Sequence, residues 1–217
     1  MKPSAPVERV RLTISLAGDI AREVDNLVDG VRIRNRSHAV ESLIIESLHL
    51  AQIRQAVVLA GGDHANKRLP AIKEMLRKLQ AGGIFEAWIA VGYMGDMVKT
   101  ELGEGEAYGM RFHYVESELG TGGALLQMKG RLKQTFIVVN VSKPLEVDIN
   151  NLLRFHREHR PFVTIATPSI RDLSGIYVME PKALATIPSG FCMLEDTVLP
   201  ELSEQGKLLS FPILKST

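Results

Sequence analysis

The chain is poor in the features that mark secreted, membrane-spanning or cluster-binding proteins. One of its 217 residues is cysteine, Cys192, so no internal disulfide can form, and a reducing, cytoplasmic setting is expected. No Cys/His signature surrounds Cys192, which reads as a small buried hydrophobe rather than a nucleophile. No apolar run reaches bilayer length, and Met1-Lys2-Pro3-Ser4-Ala5-Pro6 lacks the apolar centre of a secretion signal. Neither a membrane partner nor an exported form is therefore expected. An excess of one charge is missing too: 26 Lys and Arg against 25 Asp and Glu leave a formal +1, which is no bulk field for a polyanion. A hydrophobic fraction of 45% over this length describes a soluble chain of one or two domains.

Metal and nucleophile constellations are equally scarce. His156 and His159 lie three apart beside Arg154, Arg157 and Arg160, on a segment with helical spacing. That spacing suits a metal, but no third ligand accompanies it, so a solvated basic face is expected. His113 falls in the alternating strand Met110 to Val115 and reads as a surface or cavity residue. No Ser/His/Asp or Cys/His set is present, and no catalytic or metal-ligating residue is assigned.

What the chain does have begins at Arg11-Leu12-Thr13-Ile14-Ser15-Leu16, where apolar and polar residues alternate with the period of a strand. Val10, Leu12, Ile14 and Leu16 share one face; Arg9, Arg11, Thr13 and Ser15 share the other. No second strand follows nearby, so a second copy of the chain is the expected partner. Ile20, Val24, Leu27 and Val28 then recur at helical spacing after Gly18-Asp19, with Gly30 as a stop. After the basic turn Arg32 to Arg36, Ser37 is expected to cap a second helix with the stripe Ala39, Val40, Leu43, Ile44 and Leu48.

Residues 8 to 50 resemble a ribbon-helix-helix domain, a dimeric fold used by many bacterial, archaeal, phage and plasmid repressors. The resemblance implies that two strands, one per protomer, enter the major groove of double-stranded DNA. Arg11, Thr13 and Ser15, with Arg9 on the same face, would read bases. Ser37 and His38, with Arg34 and Arg36 nearby, would meet a phosphate at the start of the second helix. Within residues 1 to 50, seven basic residues face seven acidic ones, so any nucleic-acid signal lies in placement. A homodimer follows, with a tetramer open, and a module of this kind can also serve purely as a dimerisation clamp.

Beyond residue 50 the pattern changes. Gln55-Ala56-Val57-Val58-Leu59-Ala60 reads as a buried strand ending in Gly61-Gly62. Ile72, Met75, Leu76 and Leu79 read as a helix, and Ala87 to Val91 as another buried strand. Alternation of this kind implies a largely parallel sheet with ligands at the carboxyl ends of its strands. The expected fold is α/β: a ribbon-helix-helix domain over residues 1–50, then a Rossmann-like, mostly parallel domain over residues 51–217.

That second part is similar to the sugar-phosphate nucleotidyltransferases. The ordered segments Val57 to Gly62, Gly82-Gly83-Ile84, Val91-Gly92-Tyr93, Gly109 to Phe112, Gly120 to Leu125, Phe136 to Asn140, Leu152 to His156, Gly175 to Met179 and Val198-Leu199-Pro200 carry the resemblance. It implies a nucleotide pocket formed by Ala60, Gly61, Gly62, Gly120, Thr121 and Gly122, with Lys67 and Arg68 supplying positive charge. The same glycines would equally serve to close tight strand-to-helix turns.

Three departures weaken the enzymatic reading. After Gly-Gly the family continues with glycine, threonine and arginine, whereas this chain reads Asp63-His64-Ala65-Asn66-Lys67-Arg68. Where the family presents an acidic tip that holds magnesium, this chain reads Asn140-Val141-Ser142-Lys143-Pro144. Asp148 and Asp196 match helix-start acids instead. The sugar-contacting hairpin is reduced to Pro168 to Ser174. The expectation is a non-enzymatic, DNA-binding transcriptional regulator acting as a dimer or dimer of dimers, whose larger domain needs no cofactor and serves either to sense a nucleotide or sugar-nucleotide effector or to add a contact between protomers. The alternative is a divergent nucleotidyltransferase dimerised by the N-terminal module.

Overall fold

The computed structural model describes residues 11–31, 33–47, 53–61, 65–92, 95–141, 147–167 and 175–213. It divides into two compact units, Met1–Gln52 and Ile53–Thr217.

In the first unit, α1 (Gly18–Asn26) and α2 (Arg36–Ser47) follow the helical spacings, with Val24 and Ala39 buried. The cap of α2 is Asn35, not Ser37. Its Oδ1 accepts the His38 amide at 2.9 Å, which satisfies one of the open donors of the first turn. The turn between the helices is tied by Asp29, whose Oδ1 accepts the amides of Val31 and Ile33, both at 2.9 Å.

The alternating segment Arg11–Leu16 has no partner strand among the described residues of its own chain. It joins no ladder, and Leu12, Ile14 and Leu16 are 77%, 52% and 40% exposed. Alternation specifies which face each side chain takes, but a strand also needs a neighbour for its backbone groups. This chain supplies none among the described residues.

The second unit is a seven-stranded mixed sheet in the order β3-β2-β1-β4-β6-β5-β7. Its strands are β1 (Gln55–Leu59), β2 (Glu86–Val91), β3 (Arg111–Glu116), β4 (Phe136–Asn140), β5 (Val163–Thr167), β6 (Ile176–Met179) and β7 (Leu208–Pro212). The first four are parallel, β6 runs antiparallel to both β4 and β5, and β7 is parallel to β5. Both faces are covered, which is why the central strands read as near-continuous apolar runs. On one face Ala56, Val58, Ile89 and Ile137 meet α3 (Ala65–Ala81), α4 (Gly95–Leu102) and α6 (Ile149–His159). On the other, Val57, Leu59, Phe136, Val138 and Tyr177 meet α5 (Gly120–Gln127) and α7 (Leu199–Glu204). Each buried Leu, Ile or Phe there contributes on the order of 1.5–3 kcal/mol.

His156 corrects the expectation of a solvated basic face. It is not on a solvated basic face but 1% exposed, with Nδ1 2.8 Å from Thr164 Oγ1 and Nε2 3.2 Å from Glu180 Oε1. His159, three residues on, is exposed. Its Nδ1 lies 2.9 Å from the Phe155 carbonyl of its own helix, while β5 and β6 cover His156.

Among the described residues no helix is long and apolar enough to cross a membrane.

Candidate functional site at the carboxyl edge of the sheet

The chain leaves β1 toward β2 and β3 on one side and returns to β4 on the other. The strand order therefore reverses between β1 and β4, and an open α/β sheet forms its ligand crevice at such a point. Leu59 and Asn140 are paired there, at the carboxyl ends of the two strands. Side chains alternate along β4, so Asn140 falls on the same face as Phe136 and Val138, the face carrying α5. Tyr177 is paired with Val138 and shares that face.

Glu195 completes the constellation. It sits on the single π-helical turn Leu194–Val198 that runs into α7, an irregularity often found at functional positions. Its Oε1 accepts Asn140 Nδ2 at 2.9 Å and Tyr177 Oη at 3.2 Å, while its Oε2 accepts Thr121 Oγ1 at 2.7 Å. The Thr121 hydroxyl in turn accepts the Leu194 amide at 2.8 Å, so its proton is directed to the carboxylate. Glu195 thus ties the tip of β4, the start of α5 and β6 together.

The glycines of α5 are shaped by a second segment. Gly122 and Gly123 donate their amides to the Cys192 carbonyl at 2.8 and 3.3 Å, and Cys192 donates its own amide to the Leu119 carbonyl at 2.9 Å. Cys192 is buried, as its surroundings in the sequence suggested. Gly122 has no room for a side chain, since a Cβ there would stand 2.8 Å from Cys192 Sγ.

At the β1 end, the Ala60 amide is committed to the Ala90 carbonyl at 2.9 Å, and Arg68 donates Nη1 to the Gly61 carbonyl at 3.2 Å. Gly62 and the side chain of Lys67 lie outside the described residues. Beside Gly61, a cleft of about 490 Å³ opens at the ends of β2 and β3, lined by Gly92, Asp96, Glu116, Ser117, Glu118 and Gln127. Lys99 bonds Glu116 there and holds its carboxyl below the ordinary value.

The expected DNA-contacting residues lie in the first unit. Arg11, Thr13 and Ser15 are exposed on the segment without a ladder, and Arg9 lies outside the described residues. Arg36 is engaged by Asp25 through Nε at 2.7 Å and a second, shorter contact through Nη2. The His38 ring accepts the Arg34 amide at 3.3 Å, and Ser37 is an exposed residue inside α2.

The resemblance implies a divalent cation at the β4 tip, and the residues described there do not fit one. Glu195 is the carboxylate at the tip, and three neutral donors point at its two oxygens. No group of three His, Cys, Asp or Glu that could hold a metal ion occurs among the described residues. Magnesium prefers several hard anionic oxygens, which this set lacks. Nothing in the local spacing singles out Glu195. Its only sequence signal is its place in Leu194-Glu195-Asp196, where Asp196 is the exposed neighbour.

No family model matches the chain. It is 30% identical over 152 residues to a mannose-1-phosphate guanylyltransferase of Mycobacterium tuberculosis, covering 62% of this chain and 40% of that protein. It is 27% identical over 139 residues to the bifunctional protein GlmU of Halalkalibacterium halodurans, covering 56% of this chain and 30% of that protein. The chain thus spans less than half the length of these relatives. Among solved structures, HddC of Yersinia pseudotuberculosis superposes with a TM-score of 0.61 at 17% identity, covering 74% of this chain and 90% of that one. A 4-diphosphocytidyl-2C-methyl-D-erythritol synthase of Anaerococcus prevotii superposes with a TM-score of 0.56 at 11% identity, covering 76% and 89%.

These likenesses overturn the expectations of a DNA-binding transcriptional regulator and of a protein that is not an enzyme. The Mycobacterium relative is named for guanylyl transfer, and neither relative is named for DNA binding or transcription. The resemblance of Ile53–Thr217 to that group stands: it is a nucleotidyltransferase-like α/β domain built on a mostly parallel seven-stranded sheet.

Proposed function

We propose that Ile53–Thr217 transfers a nucleotidyl group from a nucleoside triphosphate to a sugar phosphate, and that Met1–Gln52 is a ribbon-helix-helix clamp joining two copies of the chain. The observation that carries the first part is the Glu195 constellation at the reversal of strand order, beside the paired ends of β1 and β4. A sugar-phosphate oxygen attacks the α-phosphorus, a new P–O bond forms, and the bond to the bridging oxygen breaks as pyrophosphate leaves with the electron pair. Negative charge develops on the phosphate oxygens, and positioning with electrostatic stabilisation is the main contribution a protein makes to such a step.

This chain's residues have corresponding tasks. Gly61 lets a nucleotide approach the backbone closely, since a Cβ there would meet only Gly92 N at 3.7 Å. Arg68, held against the Gly61 carbonyl, brings a guanidinium to the same loop. Asn140 presents an oriented amide at the strand tip.

The purified 217-residue chain, supplied with magnesium nucleoside triphosphates and a panel of sugar 1-phosphates, is expected to release pyrophosphate for at least one pair. The relative named mannose-1-phosphate guanylyltransferase makes GTP with mannose 1-phosphate the first pair to try. Absence of pyrophosphate and of sugar-nucleotide product with every pair would overturn the proposal.

A further inference from the structure

Glu195 carries a consequence beyond the class of reaction. Its three donors come from residues 74, 55 and 18 positions away, so the carboxylate is the meeting point of segments that local structure alone cannot align. Among the described residues no cation faces it, and its negative charge is met by the Thr121 hydroxyl, the Asn140 amide and the Tyr177 hydroxyl. A carboxylate only accepts hydrogen bonds. It therefore dictates which atom each neighbour turns toward it, and for Asn140 that atom is Nδ2. The amide oxygen and nitrogen of an asparagine differ little in shape, so such a partner is what keeps them from exchanging places.

Resting on the nucleotidyl-transfer reading above, we propose that Glu195 is a positioning residue: it locks the Asn140 amide in one orientation at the tip of β4 and holds Thr121 at the start of α5 in register with it. A glutamine at position 195 would undo this without changing shape. Its own amide carries two donors, so one of the three neighbours must turn its acceptor inward or lose its bond.

The test compares Glu195→Gln and Glu195→Asp with the parent chain, well below the melting temperature of each. Glu195→Gln is expected to lower kcat about 100-fold, the scale of a small misplacement in a reacting site, with KM for both substrates within about 3-fold. Glu195→Asp keeps the acceptor-only group and is expected to recover part of that loss. In parallel, the Asn140 side-chain amide pair, assigned by its disappearance in Asn140→Asp, is expected to shift in the NMR spectrum of Glu195→Gln. Parent-like kcat in Glu195→Gln, unmoved Asn140 amide signals, or equal losses in both variants would overturn the positioning role. If the parent chain turns over no substrate pair, the functional reading fails, and the amide signals alone decide the role of Glu195.

Discussion

Gly120 turns in the left-handed region beneath the carbonyl of Cys192: its φ is +75°, and a Cβ added to it would stand 2.5 Å from the Cys192 oxygen. Two separate demands, dihedral and steric, therefore fall on one residue. Gly120→Ala is expected to cost roughly 2–4 kcal/mol, combining the left-handed penalty with overpacking against backbone. Chemical denaturation of the full chain measures it, and a change below about 1 kcal/mol would refute the close approach.

The buried His156 predicts an acid-side instability. Its hydrogen bond holds the Glu180 carboxyl below the ordinary 4.5, against burial that pushes it up, with Thr135 adding a second bond at 2.7 Å. A depressed carboxyl stabilises the fold above its unfolded value, and that contribution disappears as pH falls through the lower folded value. Glu180→Gln is expected to lower stability by roughly 1–3 kcal/mol at neutral pH and to flatten the loss below pH 4.5. Melting curves of both proteins across acidic pH decide this, and identical slopes would count against it.

Tyr114 predicts the opposite end of the pH scale. Burial, then the nearby negative charge of Glu104, push its hydroxyl from 10.0 up to about 12. Between these values the folded chain keeps a proton that the unfolded chain has lost, so this residue's contribution falls as pH rises through that window. Ultraviolet titration should show late-ionising tyrosine absorbance, and Tyr114→Phe should reduce it by one tyrosine's amplitude. An unchanged late amplitude in Tyr114→Phe would refute the assignment.

The exposed faces of Leu12 and Ile14 predict self-association through the N-terminal unit. Burying such side chains contributes about 1.5–3 kcal/mol each, so Leu12→Glu with Ile14→Glu should weaken dimerisation more than ~100-fold. Sedimentation should give the parent chain about twice its 24.0 kDa mass and the double variant one mass. A parent chain that sediments as a monomer at micromolar concentration would remove the clamp.

Much of the α/β domain is legible in the residues themselves. Continuous apolar runs at Ala56 to Leu59 and Ala87 to Val91 become β1 and β2, buried on both faces. Asp148 caps α6 through the Asn151 amide at 3.1 Å, and Cys192 is buried. These features repeat or close within a few residues, so chain order alone carries them.

What chain order does not carry is which distant groups meet. Arg11 to Leu16 has the period of a strand, yet its ladder depends on a neighbour that the period cannot supply. His156 looks like part of a basic helix face until β5 and β6 bring Thr164 and Glu180 against it. The absent acid at Asn140 reads as the loss of a site, whereas folding delivers Glu195 from 55 residues away to its amide. The sequence by itself determined the alternation of strands and helices, because side-chain period and capping are local. The tertiary structure alone decided that the Glu195 carboxylate stands at the carboxyl edge, because its contacts with Thr121, Asn140 and Tyr177 join segments 74, 55 and 18 residues away.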